Sequence, residues 1–384
     1  MPRALFVAAT KQHIGKTTTA VGIVAGLKER FKNVGYIKPV GQQHVAVESK
    51  DGVQIRVDKD VRLFKEFFDL THCDYGDMSP LIIPSGYTKQ FLDGEVKKGQ
   101  QIESIVQAFQ RVEAVSDFVV IEGTGHCGVG GIVEMDNARV AALLGVDMVL
   151  VCNAGIGSSF DELELNRLLC EKHGVNIKGV ILNRVQEDKM EETKRYFEKA
   201  LSRWKGCQLI GCIPYNSYLH APAMIDYEKL FRRKICAGQK DRMRHFDKRM
   251  LMATSMSRFV NLLQMEEHRN TLWVTDDSRT DLVMALAEHV LACKAAGKDW
   301  EGGLILGGSE FDDDGAEPLP AVYTDVKRAL MKADFPVLRI THDVTEAMKM
   351  MNHYTAKLSA DDQRRTSAAA DHTKPMLDFE KLLA

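Results

Sequence analysis

At 384 residues the chain is longer than one ordinary hydrophobic core supports, so two domains are expected. Its 45% hydrophobic and 27% charged residues are the balance of a soluble globular protein; a formal net charge of -2 supplies neither the basic excess of a nucleic-acid binder nor an acidic tail, and any anion site has to be local. No apolar run approaches the ~20 residues that span a bilayer, which argues against a membrane partner.

Met1, Pro2 and Arg3 lead into a short apolar run, Ala4 to Ala9, with no signal-peptide cleavage pattern behind it, so a cytoplasmic protein is expected. From there to about residue 220, continuous apolar runs alternate with amphipathic stretches. Strands are predicted at 4–9, 34–38, 117–121, 147–152, 178–183 and 208–213, and helices at 16–31, 102–115, 136–144, 159–173 and 189–203. Apolar runs that do not alternate fit strands buried on both faces, which predicts a doubly wound, mostly parallel α/β sheet. The basic segment 229–249 holds Lys229, Arg232, Arg233, Lys234, Lys240, Arg242, Arg244, Lys248 and Arg249. It reads as a solvated helix face or linker, or else as a phosphate-binding or partner surface; residues 229–270 are taken as a basic linker and connecting helix. Alternation then resumes: strand 271–275, helix 280–294, strand 303–306, helix 320–332, strand 336–340 and helix 343–352 make a second, smaller α/β domain, 271–357. Residues 358–384 are expected to be a polar tail, a helix or a frayed end, with little core. The eight cysteines, at 73, 127, 152, 170, 207, 212, 236 and 293, form no CxxC pair, and several, Cys152 among them, sit inside apolar runs, as free thiols in a reducing compartment do.

The strongest signal is ATKQHIGKTT, Ala9 to Thr18, between a buried strand and a helix whose apolar positions Ala20, Val21, Ile23, Val24 and Leu27 suggest one packed face. Backbone N–H groups at such a helix start point at an anion, and the helix dipole adds favourable potential. Gly15, Lys16, Thr17 and Thr18 would form this cradle, Lys16 neutralising the β- and γ-phosphates of ATP and Thr17 giving its hydroxyl to Mg²⁺. The opening glycine of the usual loop is replaced by Ala9. A P-loop NTPase-type domain over 1–228 follows.

The spacing from Ala9 to Thr17 resembles the phosphate loop of dethiobiotin synthetase, a family whose loop carries an extra residue, and the N-terminal domain of long bacterial phosphate acetyltransferases. Further segments fall in the family's order: Lys38-Pro39-Val40 after the second strand, Glu122-Gly123-Thr124-Gly125 closing DFVVI, Asn183 ending GVILN, and Ile213-Pro214-Tyr215 after the next strand. The resemblance implies that Glu122 and Asp60 hold Mg²⁺, with Asp58 two positions away as the alternative acid, that Asn183 recognises the adenine, and that Pro214 is among the cofactor-binding residues. It implies that Lys38 stands beside the γ-phosphate; its other reading is a solvated strand end. Lys11 lies five residues before Lys16, the spacing of the signature lysine of deviant Walker ATPases, where it reaches the partner's nucleotide. A homodimer or higher homo-oligomer is expected on that ground.

The resemblance weakens in the loops that would touch an acceptor, because GTGHCGVGG after Glu122 and GQQ after Val40 depart from the family pattern. His126 and Cys127 have no neighbours at metal-ligand spacing and are not expected to be ligands or a nucleophile. Asn153 to Gly157 reads as a flexible turn, and Ser158 to Glu162 as a capping box opening a helix. In the second domain, Thr275 to Thr280, Gly302 to Gly308 and PVLRITHDVTEA resemble the DRTGG domain, with Asp281 where a glycine would follow Arg279 and Thr280. No acetyltransferase catalytic domain precedes the end at Ala384, which sets the expectation against acetyl transfer to phosphate. Two functions are carried forward: an ATP-dependent ligase-type enzyme that activates a carboxylate or carbamate of an unidentified small-molecule acceptor, and a nucleotide-sensing regulatory protein signalling to a protein partner.

Overall fold

In the computed structural model residues 3–308 and 321–384 are described. The chain divides into two units, one of residues 1–216 with 358–384 and the other of 217–357.

The first unit is built on six strands: β1 (Ala4–Ala9), β2 (Val34–Ile37), β3 (Phe118–His126), β4 (Met148–Asn153), β5 (Ile177–Val185) and β6 (Gln208–Pro214). They lie in the order β6-β5-β4-β1-β3-β2, every neighbouring pair parallel. Apolar residues of β1 and β4 are buried along their whole length, as strands covered on both faces by helices must be. The chain leaves β1 for the far edge at β2, returns to β3 and then crosses to β4 on the other side. The order therefore reverses at β1, and the crevice beyond its carboxyl end is where a parallel α/β sheet binds ligands. The helices that frame this crevice are α1 (Lys16–Lys28), α2 (Lys59–Phe67), α3 (Lys98–Ala114), α4 (Asn137–Leu144) and α5 (Ile156–Lys172).

Two expectations fail in this unit. The helix after the phosphate loop does not bury one face: Thr19, Ala20, Val21, Gly22, Ile23, Val24, Gly26 and Leu27 of α1 are all buried. The second covering layer is the segment expected to be a polar tail. Its helices Gln363–Thr373 and Phe379–Leu383 dock on α1, and Asp378 N–H bonds the Ile210 carbonyl of β6 at 2.8 Å. Glycines permit the approach, since a Cβ on Gly22 would lie 2.5 Å from Thr373 Cγ2 and one on Gly26 2.0 Å from the Phe379 ring. Arg365, fully buried, is paired with Asp362 at 3.3 Å, which is how so polar a segment enters a core.

Among its described residues the second unit has five strands, β7 (Ile235–Ala237), β8 (Lys248–Leu251), β9 (Thr271–Asp276), β10 (Gly303–Gly307) and β11 (Val337–Arg339), in the order β7-β11-β10-β9-β8. All pairs are parallel except β7 with β11. One apolar core gathers around Trp273, Phe259, Leu286 and Phe335, the other around Met224, Tyr227, Phe246 and Ile340. Residue 320, which opens the predicted helix 320–332, lies outside the described residues; the helix is Ala321–Ala333. The basic segment 229–249 is not a linker here. It supplies β7 and the start of β8, and its cations serve internal bonds: Arg242 to Glu228, Arg244 to the Trp300 and Gly302 carbonyls at 3.0 Å, and Arg249 to the Met351 carbonyl.

Candidate functional site

The turn from β1 into α1 is a loop of unusual backbone. His13 has φ +61° and Gly15 φ +89°, a left-handed conformation in which a side chain is strained. Gly15 has a second constraint, because a Cβ there would lie 2.2 Å from Asn183 Nδ2. That amide, at the end of β5, donates to the Ile14 carbonyl at 2.7 Å, while its oxygen accepts from Arg184 N at 3.0 Å. Both ends of Asn183 are thus committed to backbone, and what its bonds do is prop the phosphate loop rather than present a free amide to a base. Arg184, in the left-handed region at φ +61°, donates from its guanidinium to the His13 carbonyl at 2.8 Å. Two buried polar atoms at these strand ends, Arg184 Nε and Asn153 Oδ1, have no partner among the described residues.

Below the loop stands Glu122, fully buried at the point where β3 passes the crevice. Its Oε1 accepts from Lys16 Nζ at 2.9 Å and from Thr17 Oγ1 at 2.7 Å, and its Oε2 from the Tyr36 hydroxyl at 2.9 Å. Tyr36, from β2, stacks on Phe64 of α2 at 3.8 Å, so the acid is fixed from both sides. Burial, and then the Glu122 carboxylate, push the Tyr36 hydroxyl well above its ordinary value, so it stays a donor. Thr18 is half-buried beside Thr17 on the first turn.

Lys38 lies just beyond β2, buried, with its ammonium bonded to Asp60 and 3.1 Å from Asp58 Oδ1. Burial works to lower its pKa, but the carboxylates of Asp60, Asp58 and Glu122 outweigh that and hold it well above the usual lysine value. Asp60 is pushed up by burial and pulled down further by Lys38, ending well below the ordinary carboxylate range. A solvated strand end is therefore not what Lys38 is. The two acids differ in their tasks. Asp58 caps α2, accepting from Asp60 N at 3.0 Å and from Gln42 N at 3.1 Å, which holds the loop after Lys38. Asp60 has no such backbone duty in these bonds and faces Lys38 and Lys59.

Around Lys16 and Lys38 stand three carboxylates, those of Glu122, Asp58 and Asp60. Among the described residues no three acidic, histidine or cysteine side chains form a closed metal cage. This donor set suits Mg²⁺, which takes one or two carboxylates and leaves its other positions to phosphate and water.

Lys11, half-exposed, bonds Glu162 Oε1 at 2.7 Å. Glu162 and the helix it belongs to differ from expectation: α5 starts at Ile156 after Gly155, with no side-chain cap, so Ser158 to Glu162 is not a capping box. Pro214 ends β6 beside Val185, its carbonyl 2.9 Å from His372 Nε2. The glycine-rich loop after Glu122 is held by Asn137, which bonds Thr124 and His126 backbone at 2.8–3.0 Å, and by Asn166, whose Oδ1 accepts from Cys127 N at 2.9 Å. Cys127 itself is buried beside Cys170 and Met148, and its thiol is raised by the Cys170 contact and by burial. Sequence reasoning missed Tyr36, Glu162, Asn166 and Arg184; only Tyr36, a polar ring inside the apolar run VGYI, carried any signal.

The AAA_26 family, described as an AAA domain, matches residues 3–223. The chain belongs to this family. Among its relatives is the phosphate acetyltransferase of Nitrosomonas europaea, 26% identical over 97% of this chain and 50% of that protein. The ATP-dependent dethiobiotin synthetase BioD of Clostridium novyi is 24% identical over 62% of this chain and 100% of the synthetase. The MinD cell division protein of Aquifex aeolicus overlays 56% of this chain and 84% of its own at a TM-score of 0.34 and 15% identity, a likeness too slight to bear on function. The chain spans about half the length of the phosphate acetyltransferases it matches. This AAA_26 member is thus a P-loop NTPase fold related to both groups of proteins. No helix among its described residues is long and apolar enough to cross a membrane.

Proposed function

We propose that this chain binds Mg-ATP at the turn between β1 and α1 and uses it for phosphoryl transfer to a carboxylate or carbamate. The observation that carries the reading is the position of Glu122. It is buried, and one of its oxygens holds both the Lys16 ammonium and the Thr17 hydroxyl, the pair that a triphosphate with its cation would draw away. Lys16 and the backbone N–H groups at the start of α1 would grip the β- and γ-phosphates. Thr17, Glu122 and Asp60 would hold Mg²⁺, which supplies charge neutralisation on the phosphate oxygens when bound. Lys38, kept charged by its carboxylate neighbours, would stabilise charge developing on the transferring group. Arg184 Nε and Asn153 Oδ1, buried without partners among the described residues, offer a donor and an acceptor to the nucleoside, with Asn183 as the prop of the loop and Pro214 at its border.

A second reading is favoured by the relatives: the match to phosphate acetyltransferases runs over 97% of the chain, whereas the synthetase match covers 62%. In that reading the first unit senses nucleotide, turnover is slow, and the DRTGG-like 271–357 region signals to a protein partner. Phosphate release from Mg-ATP by the purified chain separates the two. Turnover that exceeds the Lys16→Ala background and rises with added carboxylates supports the enzyme; binding with no turnover above that background supports the sensor. The proposed homodimer rests on Lys11, and a Lys11→Ala variant unchanged in both turnover and self-association removes it.

A further inference from the structure

Glu162 and Asn166 stand one turn apart on α5 and hold two loops of the site at once. The Glu162 carboxylate is divided between neighbouring residues of the phosphate loop: Oε1 accepts from Lys11 at 2.7 Å and Oε2 from the Thr10 hydroxyl at 3.0 Å. Asn166 Nδ2 donates to the Thr10 carbonyl at 3.2 Å and to the Glu162 carbonyl at 2.8 Å, and its Oδ1 takes the Cys127 N–H of the glycine-rich loop. Thr10 is thus tied at its side chain and its carbonyl to one helix, while the Lys11 side chain is tied, among the described residues, by an ion pair alone. The side chains of that pair are 51% and 26% exposed, so solvent screens it and an incoming anion can compete for the lysine.

Resting on the nucleotide reading above, we propose that Glu162 is a positioning residue that latches Lys11 in the nucleotide-free protein and yields it to the triphosphate on binding. A carboxylate at this place repels phosphate when unpaired, and pairing with Lys11 cancels that repulsion. Nucleotide affinity is then set by an exchange of partners at Lys11, with Thr10 and Asn166 keeping the loop in register while the exchange occurs. Glu162→Gln keeps an oxygen for Thr10 and removes only the charge that holds Lys11.

The test is a fluorescence titration with N-methylanthraniloyl-ATP and Mg²⁺ at low salt, on the full chain. Glu162→Gln should tighten binding about two- to fivefold, the range of an exposed ion pair. In a Lys11→Ala background, where Glu162 is already unpaired, the same substitution should tighten binding by clearly less, because it relieves only the carboxylate's repulsion of phosphate. Equal shifts in both backgrounds would mean simple repulsion of phosphate by Glu162, and no shift with Lys11 present would mean no latch; either overturns the proposal. A second readout needs no nucleotide: the rate of Lys11 acetylation by acetic anhydride, followed by mass spectrometry, should rise in Glu162→Gln. If the wild type binds no labelled ATP, the nucleotide reading falls; if it binds and Lys11 labelling is unchanged by Glu162→Gln, the latch alone falls.

Discussion

Replacing Gly15 by alanine tests how the phosphate loop is built. The backbone at Gly15 has φ +89°, where a side chain costs about 1–2 kcal/mol. The new Cβ would also meet Asn183 Nδ2 at 2.2 Å, and Asn183 is the far end of no flexible chain: its amide is held at the Ile14 carbonyl and at Arg184 N. Moving it away breaks at least the bond to Ile14, a further loss of about 1 kcal/mol. The two effects together predict a destabilisation of about 2–3 kcal/mol, which for a unit of this size lowers the melting temperature by about 4–12 °C. Differential scanning calorimetry of wild type and Gly15→Ala without nucleotide reads this directly, and Gly99→Ala, whose Cβ meets nothing within 4 Å, is the control. A melting temperature for Gly15→Ala within about 1 °C of wild type would refute the claim that Gly15 and Asn183 jointly set the loop.

Further outcomes follow from other parts of the molecule. Gly26→Val drives a side chain into the Phe379 ring and should loosen residues 358–384 at a cost of about 1–3 kcal/mol, seen as faster tryptic cleavage within that segment; unchanged cleavage would contradict its docking on α1. Because the folded-state pKa of Asp60 is depressed, the stability it contributes is present above its unfolded value of about 3.9 and is lost as pH falls through the lower folded one. The stability gap between wild type and Asp60→Asn in urea titrations should therefore be constant from about pH 5 to 8 and narrow steadily below about pH 4, and a gap as wide at about pH 2 as at neutral pH would count against the Lys38 pairing. Burial pushes the Cys207 thiol up to about 12 and, with its surroundings, Cys212 to about 11, so both should resist iodoacetamide at about pH 8 until urea unfolds the chain; prompt native alkylation of either, read by mass spectrometry, would oppose this.

Much of the fold was legible because parallel strands buried on both faces leave continuous apolar runs, and ALFVAA, DFVVI and MVLVC are such runs. The loop was legible because a lysine and a threonine stand at the start of a helix that follows a buried strand. What stayed hidden depended on partners distant in sequence. Gly22 and Gly26 read as ordinary small residues of α1, yet they are the floor on which Thr373 and Phe379 rest. Arg365 looked like solvated charge because its burial depends on Asp362 and on a helix more than 300 residues earlier. Glu162 satisfied the spacing of a capping box, and only the start of α5 at Ile156 frees it to face Lys11. The sequence VDKDV offered Asp60 with Asp58 as the alternative, and the start of α2 shows that Asp58 carries the helix cap while both acids pair with Lys38.

The central claim is that Lys16, Thr17 and Glu122 receive a nucleoside triphosphate with its cation. Isothermal titration calorimetry of the full chain with ATP, with and without Mg²⁺ and in parallel with Lys16→Ala, tests it most directly. The account predicts saturable heat that strengthens with Mg²⁺ and is lost in Lys16→Ala, together with about 2.7 kcal/mol of added stability once ATP reaches a hundredfold excess over Kd. No heat with the wild type, or the same heat with Lys16→Ala, would contradict it.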